Sequence, residues 1–330
     1  MTIDLGKERA RWRGKRVLVT GGAGFIGSHL TDALVAFGAL VTIVDNFSTG
    51  FREFLTASPL LTVVDGDLND RALCHRVVGG QEFVFHLSAN ADVKDGLLHP
   101  RRDIEQNVIV TQNVLEAMRA NGVTDIAFSS TGSVYGEANV LPTPEDAPFP
   151  VQTSFYATSK VAAEGLLSSY AFGYGFRAWI FRFVSMLGPR YTHGHVIDFW
   201  RKLRSDPTRL EVLGDGHQRK SYLHVDDCIA AMILSVERAR ETVNIFNIGH
   251  SEWIEVNESI RIVCREMRVD PKLEYKGGVR GWVGDAPKIL LDTNRLRSLG
   301  WTPTRSIEES VVETLRFLAA NPFCEKRRSS

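Results

Sequence analysis

The chain has 330 residues, 44% of them apolar, with 39 Lys plus Arg balanced by 39 Asp plus Glu. Such a length excludes a single small module, the composition excludes a disordered or collagen-like chain, and the charge balance offers no basic field for nucleic acid or an anionic membrane, so a small ligand is the expected partner. No run approaches the roughly eighteen apolar residues of a membrane span, and the charged stretch Met1 to Lys15 lacks a signal-peptide core, so a cytoplasmic protein is expected.

In chain order, a polar leader over 1–14 gives way to Arg16-Val-Leu-Val-Thr20, a short apolar run that ends in glycines. From Phe25 to Phe37 the apolar spacing is helical. Further apolar runs stop at Asp45 (Leu40 to Val44), at Asp65 (Leu61 to Val64) and at His86 (Phe83 to Phe85). A helix is predicted over Asn107 to Ala120, closed by Asn121-Gly122, and Ile126 to Phe128 forms a fifth strand running into Ser129-Ser130-Thr131. Strand and helix alternate, and parallel neighbours need crossover connections, so this half is a doubly wound parallel sheet of Rossmann type. After Phe183 the alternation weakens. Residues 15–185 are read as the cofactor domain, with later segments returning to it, and 186–322 as mainly a smaller α/β substrate domain. Short strands are expected at Leu210 to Leu213, Ser221 to Val225 and Asn244 to Ile248, and helices at Asp226 to Arg238, Val256 to Met267 and Ile307 to Ala320. A polar tail is read over 323–330, of which Glu325 to Ser330 is expected to fray. The four cysteines, Cys74, Cys228, Cys264 and Cys324, lie far apart without C-x-x-C spacing, so neither zinc nor disulfides are expected.

The strongest local motif is Thr20-Gly21-Gly22-Ala23-Gly24-Phe25-Ile26-Gly27, placed where a strand becomes a helix. Glycines at 21, 24 and 27 permit a sharp turn, close approach to a pyrophosphate and tight helix-to-sheet packing, with the helix N-terminus facing the phosphates. Asp45, at the end of the next strand, has the spacing of a carboxylate that binds the adenosine ribose hydroxyls; it would repel a 2′-phosphate, so NAD is expected rather than NADP. Asp67 could reach the adenine amino group or serve only to form a turn. A second constellation is Tyr156-Ala157-Thr158-Ser159-Lys160, whose phenol and ammonium share a helix face. The ammonium is expected to lower the phenol pKa toward neutrality, as a general base requires. Ser129-Ser130-Thr131 brings a hydroxyl to the same sheet edge. His193-Gly194-His195 reads as a loop lining the substrate lobe, with no third ligand for a metal. His86 reads as a satisfied core histidine, and Tyr135 as packing or a pocket wall.

Together these residues resemble the extended short-chain dehydrogenase/reductases, within them the nucleotide-sugar epimerases, and most closely the UDP-glucose 4-epimerase type. The resemblance spans roughly 15 to 320 and includes the glycine turn, Asp45-Asn46-Phe47-Ser48-Thr49-Gly50, Asp67-Leu68, Phe85-His86-Leu87-Ser88-Ala89, Asn107, Ser129 to Gly136 and the Tyr156/Lys160 pair. It implies a catalytic set of Tyr156, Lys160 and Thr131. For NAD it implies Gly21, Gly24, Phe25, Ile26, Gly27, Asp45, Asn46, Ser48, Thr49, Gly50, Asp67, Leu68, Leu87, Ser88, Ala89, Asn107, Ser129, Tyr156, Lys160 and Phe183. For a UDP-sugar it implies Asn90, Thr131, Ser133, Tyr156, Ser185, His195, Arg219, Tyr222, Arg280 and Asp285. The implied reaction is C4 epimerisation through a transient 4-keto sugar. A 4-keto-sugar reductase, which would consume exchangeable NAD(P)H, is the alternative, and a non-catalytic NAD-responsive binding protein the third reading. In this family the 4,6-dehydratases carry Asp and Glu after the threonine, and the uronate decarboxylases a glutamate at the second position; here Gly132 and Ser133 stand there. Two departures fall in the diphosphate region: Ser185 where asparagine is common, and Lys220 where arginine is. The resemblance also implies a homodimer through the helices Asn107 to Ala120 and Ser154 to Phe172.

Overall fold

The computed structural model describes residues 10–91, 93, 95–149, 151–281 and 286–325. Its centre is a seven-stranded sheet built from β1 (Arg16–Thr20), β2 (Leu40–Asp45), β3 (Leu61–Asp65), β4 (Phe83–His86), β5 (Asp125–Thr131), β6 (Arg177–Phe183) and β11 (Val243–Ile248), in the order β11-β6-β5-β4-β1-β2-β3. All neighbours pair in parallel. Alternate residues feed two cores, one on each face. Leu18, Val84, Ile126 and Ile180 join one core, while Val17, Phe85, Ala127 and Trp179 join the other. Burial on both faces is why β1, β4, β5 and β6 read as apolar runs rather than as alternating ones.

The helices that cover the sheet are α1 (Phe25–Ala36), α2 (Arg71–Val78), α3 (Val110–Asn121), α4 (Phe155–Tyr174) and α6 (Val225–Arg238). Strand order reverses between β1 and β4, so the crevice at their carboxyl ends is the switch point where ligands bind in such sheets. In the region after β6, β7 (Ser185–Leu187) pairs in parallel with β10 (Tyr222–His224). There β8 (Arg209–Val212) pairs with β13 (Lys272–Tyr275), and β9 (Arg219–Lys220) lies between β12 (Ile254–Glu255) and β14 (Lys288–Ile289). Helices α5 (His195–Ser205), α7 (Val256–Met267) and α8 (Ile307–Ala320) complete it, the last opened by a capping box of Ser306 and Glu309.

Four expectations change. Trp12 is fully buried, its ring centroid 5.3 Å from that of Phe83, so the polar leader carries an apolar anchor into the core. Toward the C-terminus, the segment read as a polar tail from 323 begins with a packed turn, in which Cys324 is buried and Phe323 lies against Phe51. His195 opens α5 rather than sitting on a loop, because Val196, Ile197, Trp200 and Leu203 give that segment a buried face. The helix expected to start at Asn107 instead contains Asn107 within a π-type turn, Ile104–Ile109, between the short helix Pro100–Asp103 and α3.

Candidate active site

At the end of β1 the backbone turns through Gly21 at φ 69°. A Cβ at Gly21 would sit 2.8 Å from Ser88 N, and one at Gly27 2.1 Å from Gly21 O, so the turn presses on the end of β4 at a distance only glycine permits. Gly24 is the N-cap of α1 and makes no side-chain capping bond to it, so the cap residue takes up none of the first-turn N–H groups. Phe25 and Gly27 are buried in that first turn, with Ile26 partly buried.

Beside the turn, Asp45 is already oriented: Oδ2 accepts Ala23 N at 2.9 Å and Oδ1 accepts Phe47 N at 2.8 Å. A carboxylate keeps further lone pairs for hydroxyl donors. The loop from Asn46 to Gly50 folds back so closely that a Cβ at Gly50 would lie 3.0 Å from both Ala23 and Asp45 Oδ1. Asn46 Oδ1 accepts Ser48 N and Oγ, and its Nδ2 donates to Asp67 Oδ2 at 3.1 Å. Burial alone would raise the Asp67 carboxyl, but hydrogen bonds from Asn69, Asn46 and Gln106 outweigh it and hold the group below its usual range. Thr49 is exposed on this loop, and Leu68 is buried behind it.

The ends of β1 and β4 are joined through His86. Thr20 Oγ1 accepts Leu87 N and Ser88 N, both at 3.1 Å, so its own proton goes to His86 Nδ1 at 2.7 Å. His86 Nε2 then donates to Thr111 Oγ1 at 3.0 Å, and Thr111 in turn donates to Asn107 O. Burial pushes His86 down to about 3, so the ring is neutral. Leu87, Ser88 and Ala89 follow as a partly buried lip.

The π-type turn points Asn107 into this edge. Its Nδ2 donates to Ser159 Oγ at 2.9 Å, its Oδ1 accepts Asn90 N at 2.8 Å, and Ser159 Oγ donates to Tyr156 O at 2.7 Å. Asn90 gives its side-chain amide to Asp103 Oδ1 at 2.9 Å. Asn90 and Asn107 thus brace the helix that carries Tyr156, an arrangement that a plain α-helical reading of the 107–120 spacing does not reach.

Tyr156 and Lys160 lie on α4, whose Ser154 cap accepts Ala157 N at 3.1 Å. Lys160 Nζ donates to Ser129 O at 2.8 Å and stands 4.7 Å from the Phe128 ring centroid and 5.9 Å from that of Tyr156. The pKa expectation is reversed. Burial pushes the Tyr156 phenol up to about 12, against a downward pull from the Thr131 hydroxyl and with a further push from Asp103. Burial also pushes Lys160 down to about 7, opposed by Glu164 and Asp103. An ammonium that is itself desolvated, and held by a carbonyl, is a weak support for a phenolate. Thr131 ends β5 and opens the turn Gly132–Tyr135; its Oγ1 accepts Ser133 N at 3.1 Å and lies 3.2 Å from Ser133 Oγ. Phe183, opposite Thr131 in the β5–β6 register, closes that side.

Sequence reasoning missed the support beneath these residues. Glu164, one turn after Lys160, takes both Arg182 Nε at 3.1 Å and Nη2 at 2.8 Å, and also Ser130 Oγ. Arg182 Nη1 donates to Tyr135 Oη at 2.7 Å, and that hydroxyl donates to Asn247 Oδ1 at 2.8 Å. One buried network therefore ties β5, β6, β11 and α4 together behind the site. A charged residue within the apolar strand Arg-Ala-Trp-Ile-Phe-Arg-Phe, together with a glutamate four residues after Lys160, was the available signal.

The proposed substrate residues are less unified. Ser185 pairs with Tyr222 in the β7–β10 register, and the His195 ring lies 4.7 Å from that of Tyr222, so these three share one neighbourhood. His195 Nε2 bonds with Ser259 Oγ at 2.7 Å, and burial pushes the ring down to about 3. Arg219 gives its guanidinium to Glu255 at 2.8 Å, so a diphosphate would have to compete with that carboxylate. Arg280 pairs with Glu137, just past the Thr131 turn. Asp285 lies outside the described residues. Among the described residues no group of three His, Cys, Asp or Glu side chains is placed to hold a metal, and no helix is long and apolar enough to cross a membrane.

Residues 17–249 match the model of the NAD dependent epimerase/dehydratase family. The chain belongs to that family. Its cofactor is accordingly NAD, and the uncapped helix start beside a turn with no room for a Cβ fits a dinucleotide pyrophosphate. The chain is 31% identical to UDP-glucose 4-epimerase of Corynebacterium glutamicum over 314 residues, covering 90% of this chain and 94% of that one. It is 35% identical to UDP-N-acetyl-alpha-D-glucosaminuronate decarboxylase of Bacillus cytotoxicus over 320 residues, covering 92% and 97%. Among solved structures, a UDP-galactose 4-epimerase superposes with a TM-score of 0.84 at 37% identity, covering 93% of this chain and 99% of that one. Likeness of this size spans epimerases and a decarboxylase, so the reaction must be argued from the residues around Thr131.

Proposed function

We propose that this enzyme epimerises a nucleotide sugar at C4, with a UDP-hexose or UDP-hexuronate as substrate. The observation that carries the reading is the composition of the sheet edge after Thr131. Tyr156, Lys160 and Thr131 are gathered there, but the two following positions hold no carboxylate. A Cβ at Gly132 would lie 3.2 Å from Leu291 Cδ1 and 3.3 Å from Phe183 O, so an acidic side chain there would have to displace Leu291. Ser133 is turned to Thr131. Elimination and decarboxylation lack their acidic residues, while epimerisation asks nothing beyond the shared three.

In this reading the glycine turn, Asp45 and the loop to Gly50 hold the dinucleotide, and Lys160 directs its remaining N–H donors to the nicotinamide ribose. When bound, NAD supplies the hydride acceptor and donor for C4 and a positively charged ring that favours the phenolate. Tyr156 Oη takes the proton of the sugar 4-hydroxyl, and Thr131 Oγ1 orients that oxygen. The 4-keto sugar turns about its diphosphate link, within a site closed to water, and Tyr156 Oη returns the proton to the oxygen on the inverted carbon. Ser185, Tyr222, His195 and Arg280 line the sugar and diphosphate side. A homodimer is part of the same reading: Leu98 and Phe172, 77% and 78% exposed on the helical segments named above and just before them, are apolar surface that a partner subunit would cover.

The test is incubation with a panel of UDP-, GDP-, dTDP- and CDP-sugars, without added cofactor, followed by proton NMR. Inversion at C4 of a UDP-sugar is the expected result; a dehydrated or decarboxylated product would overturn the proposal.

A further inference from the structure

The C-terminal turn Pro322–Glu325 stands far in sequence from the glycine turn but is packed onto the loop that follows Asp45. The Phe323 ring centroid is 5.8 Å from that of Phe51 and 6.1 Å from that of Phe54. Phe51 and Phe54 face each other at 5.0 Å, and Phe317 of α8 adds a fourth ring 6.2 Å from Phe54. This cluster connects directly to the cofactor side, because Phe51 N donates to Ala23 O at 3.0 Å within the glycine turn and Ala23 N donates to Asp45 Oδ2 at 2.9 Å. The turn is also held from the other side, where Arg201 Nη2 of α5 donates to Cys324 O at 3.0 Å. Cys324 itself is buried.

We propose that this turn is a clasp and Phe323 a positioning residue for NAD: it presses the Asp45–Phe54 loop against the glycine turn and links that loop to α5. The proposal rests on the reading that this loop faces the adenosine. Its physical basis is entropic. The loop is short of regular structure, with Phe47 at φ 54° and only the three-residue turn Arg52–Phe54 between β2 and β3. Without an outside hold, ordering such a loop would be charged against cofactor affinity; with Phe323 in place it is ordered before NAD arrives.

The experiment compares Phe323→Ala with the unaltered full chain. It follows NAD release by capture with an excess of an NAD-consuming dehydrogenase, and UDP affinity by calorimetry. The expected result is NAD release faster by about three- to tenfold, the size of lost aromatic pairs, with UDP affinity unchanged. Phe323→Leu, which keeps the apolar bulk, should recover much of the loss. NAD release within about twofold of the unaltered chain would overturn the clasp, as would equal weakening of NAD and UDP, which marks general destabilisation. Should Phe323→Ala fail to fold, Arg201→Gln, which removes the bond to Cys324 O, is judged by the same criteria. Asp45→Ala judges the underlying reading separately: unchanged NAD release in that variant would show that the loop does not face adenosine.

Discussion

The carboxyl edge of the large sheet and the region after Phe183 use polar side chains in opposite ways. At the sheet edge three polar groups are held by buried or half-buried partners: His86 lies between Thr20 and Thr111, Asn107 between Asn90 and Ser159, and Glu164 under Arg182 and Ser130. In the later region the arginines proposed for substrate are paired with carboxylates near the surface, Arg219 with Glu255 and Arg280 with Glu137. The first arrangement is pre-organised, as chemistry at a fixed carbon requires. The second is part-exposed, so those guanidinium groups can exchange their carboxylates for another anion.

The sharpest way to break this contrast is at the glycine turn. Gly27→Ala places a methyl 2.1 Å from Gly21 O, so the turn must move, and turnover at fixed NAD should fall on the order of a hundredfold. Turnover within a few-fold of the unaltered enzyme would show that the sheet edge is more forgiving than its packing implies.

Next in size is the buried pair. Glu164 and Arg182 side chains are 6% and 3% exposed, so Glu164→Gln leaves a guanidinium buried without its counter-charge and should lower unfolding free energy by about 3 kcal/mol in urea titration. Glu255→Gln, at the exposed Arg219 pair, should change stability little. Equal losses in the two variants would erase the distinction between the regions.

A third test reads pH dependence from one histidine of each region. His86 and His195 are both pushed down to about 3 by burial, whereas an unfolded histidine titrates near about 6.5. Between those values the unfolded chain binds more protons than the folded one, so stability is intact above pH ~6.5 and falls as pH drops toward ~3, by up to about 1.4 kcal/mol per pH unit for each ring. The two rings carry shifts of the same size, so each should contribute a similar share of that slope. Urea midpoints of His86→Asn and His195→Asn across this range check it; an unchanged slope in both would show that neither ring is held neutral.

What could be read from the residues followed their geometry. Glycines at 21, 24 and 27 announce a turn because nothing else fits, and apolar runs ending at Asp45 and His86 announce parallel strands because both faces are covered. The family resemblance read from those motifs agrees with the family model match. Three things could not be read so. The π-type turn around Asn107 depends on partners 17 and 52 residues away in sequence, Asn90 and Ser159. The Tyr156 pKa was argued from Lys160 alone, whereas burial of both groups decides it and spacing carries no information on burial. Trp12 and Phe323 sit in stretches polar enough to read as leader and tail, and only the rings that receive them, Phe83 and Phe51, reveal that these two side chains are packed.

UDP-glucose deuterated at C4 follows the proposed departure of a hydride from C4 and its return to the other face while Tyr156 holds the proton. UDP-galactose still carrying deuterium at C4 is expected, and no such product from Tyr156→Phe. Loss of the label to solvent, or comparable product from the phenylalanine variant, would contradict the proposal.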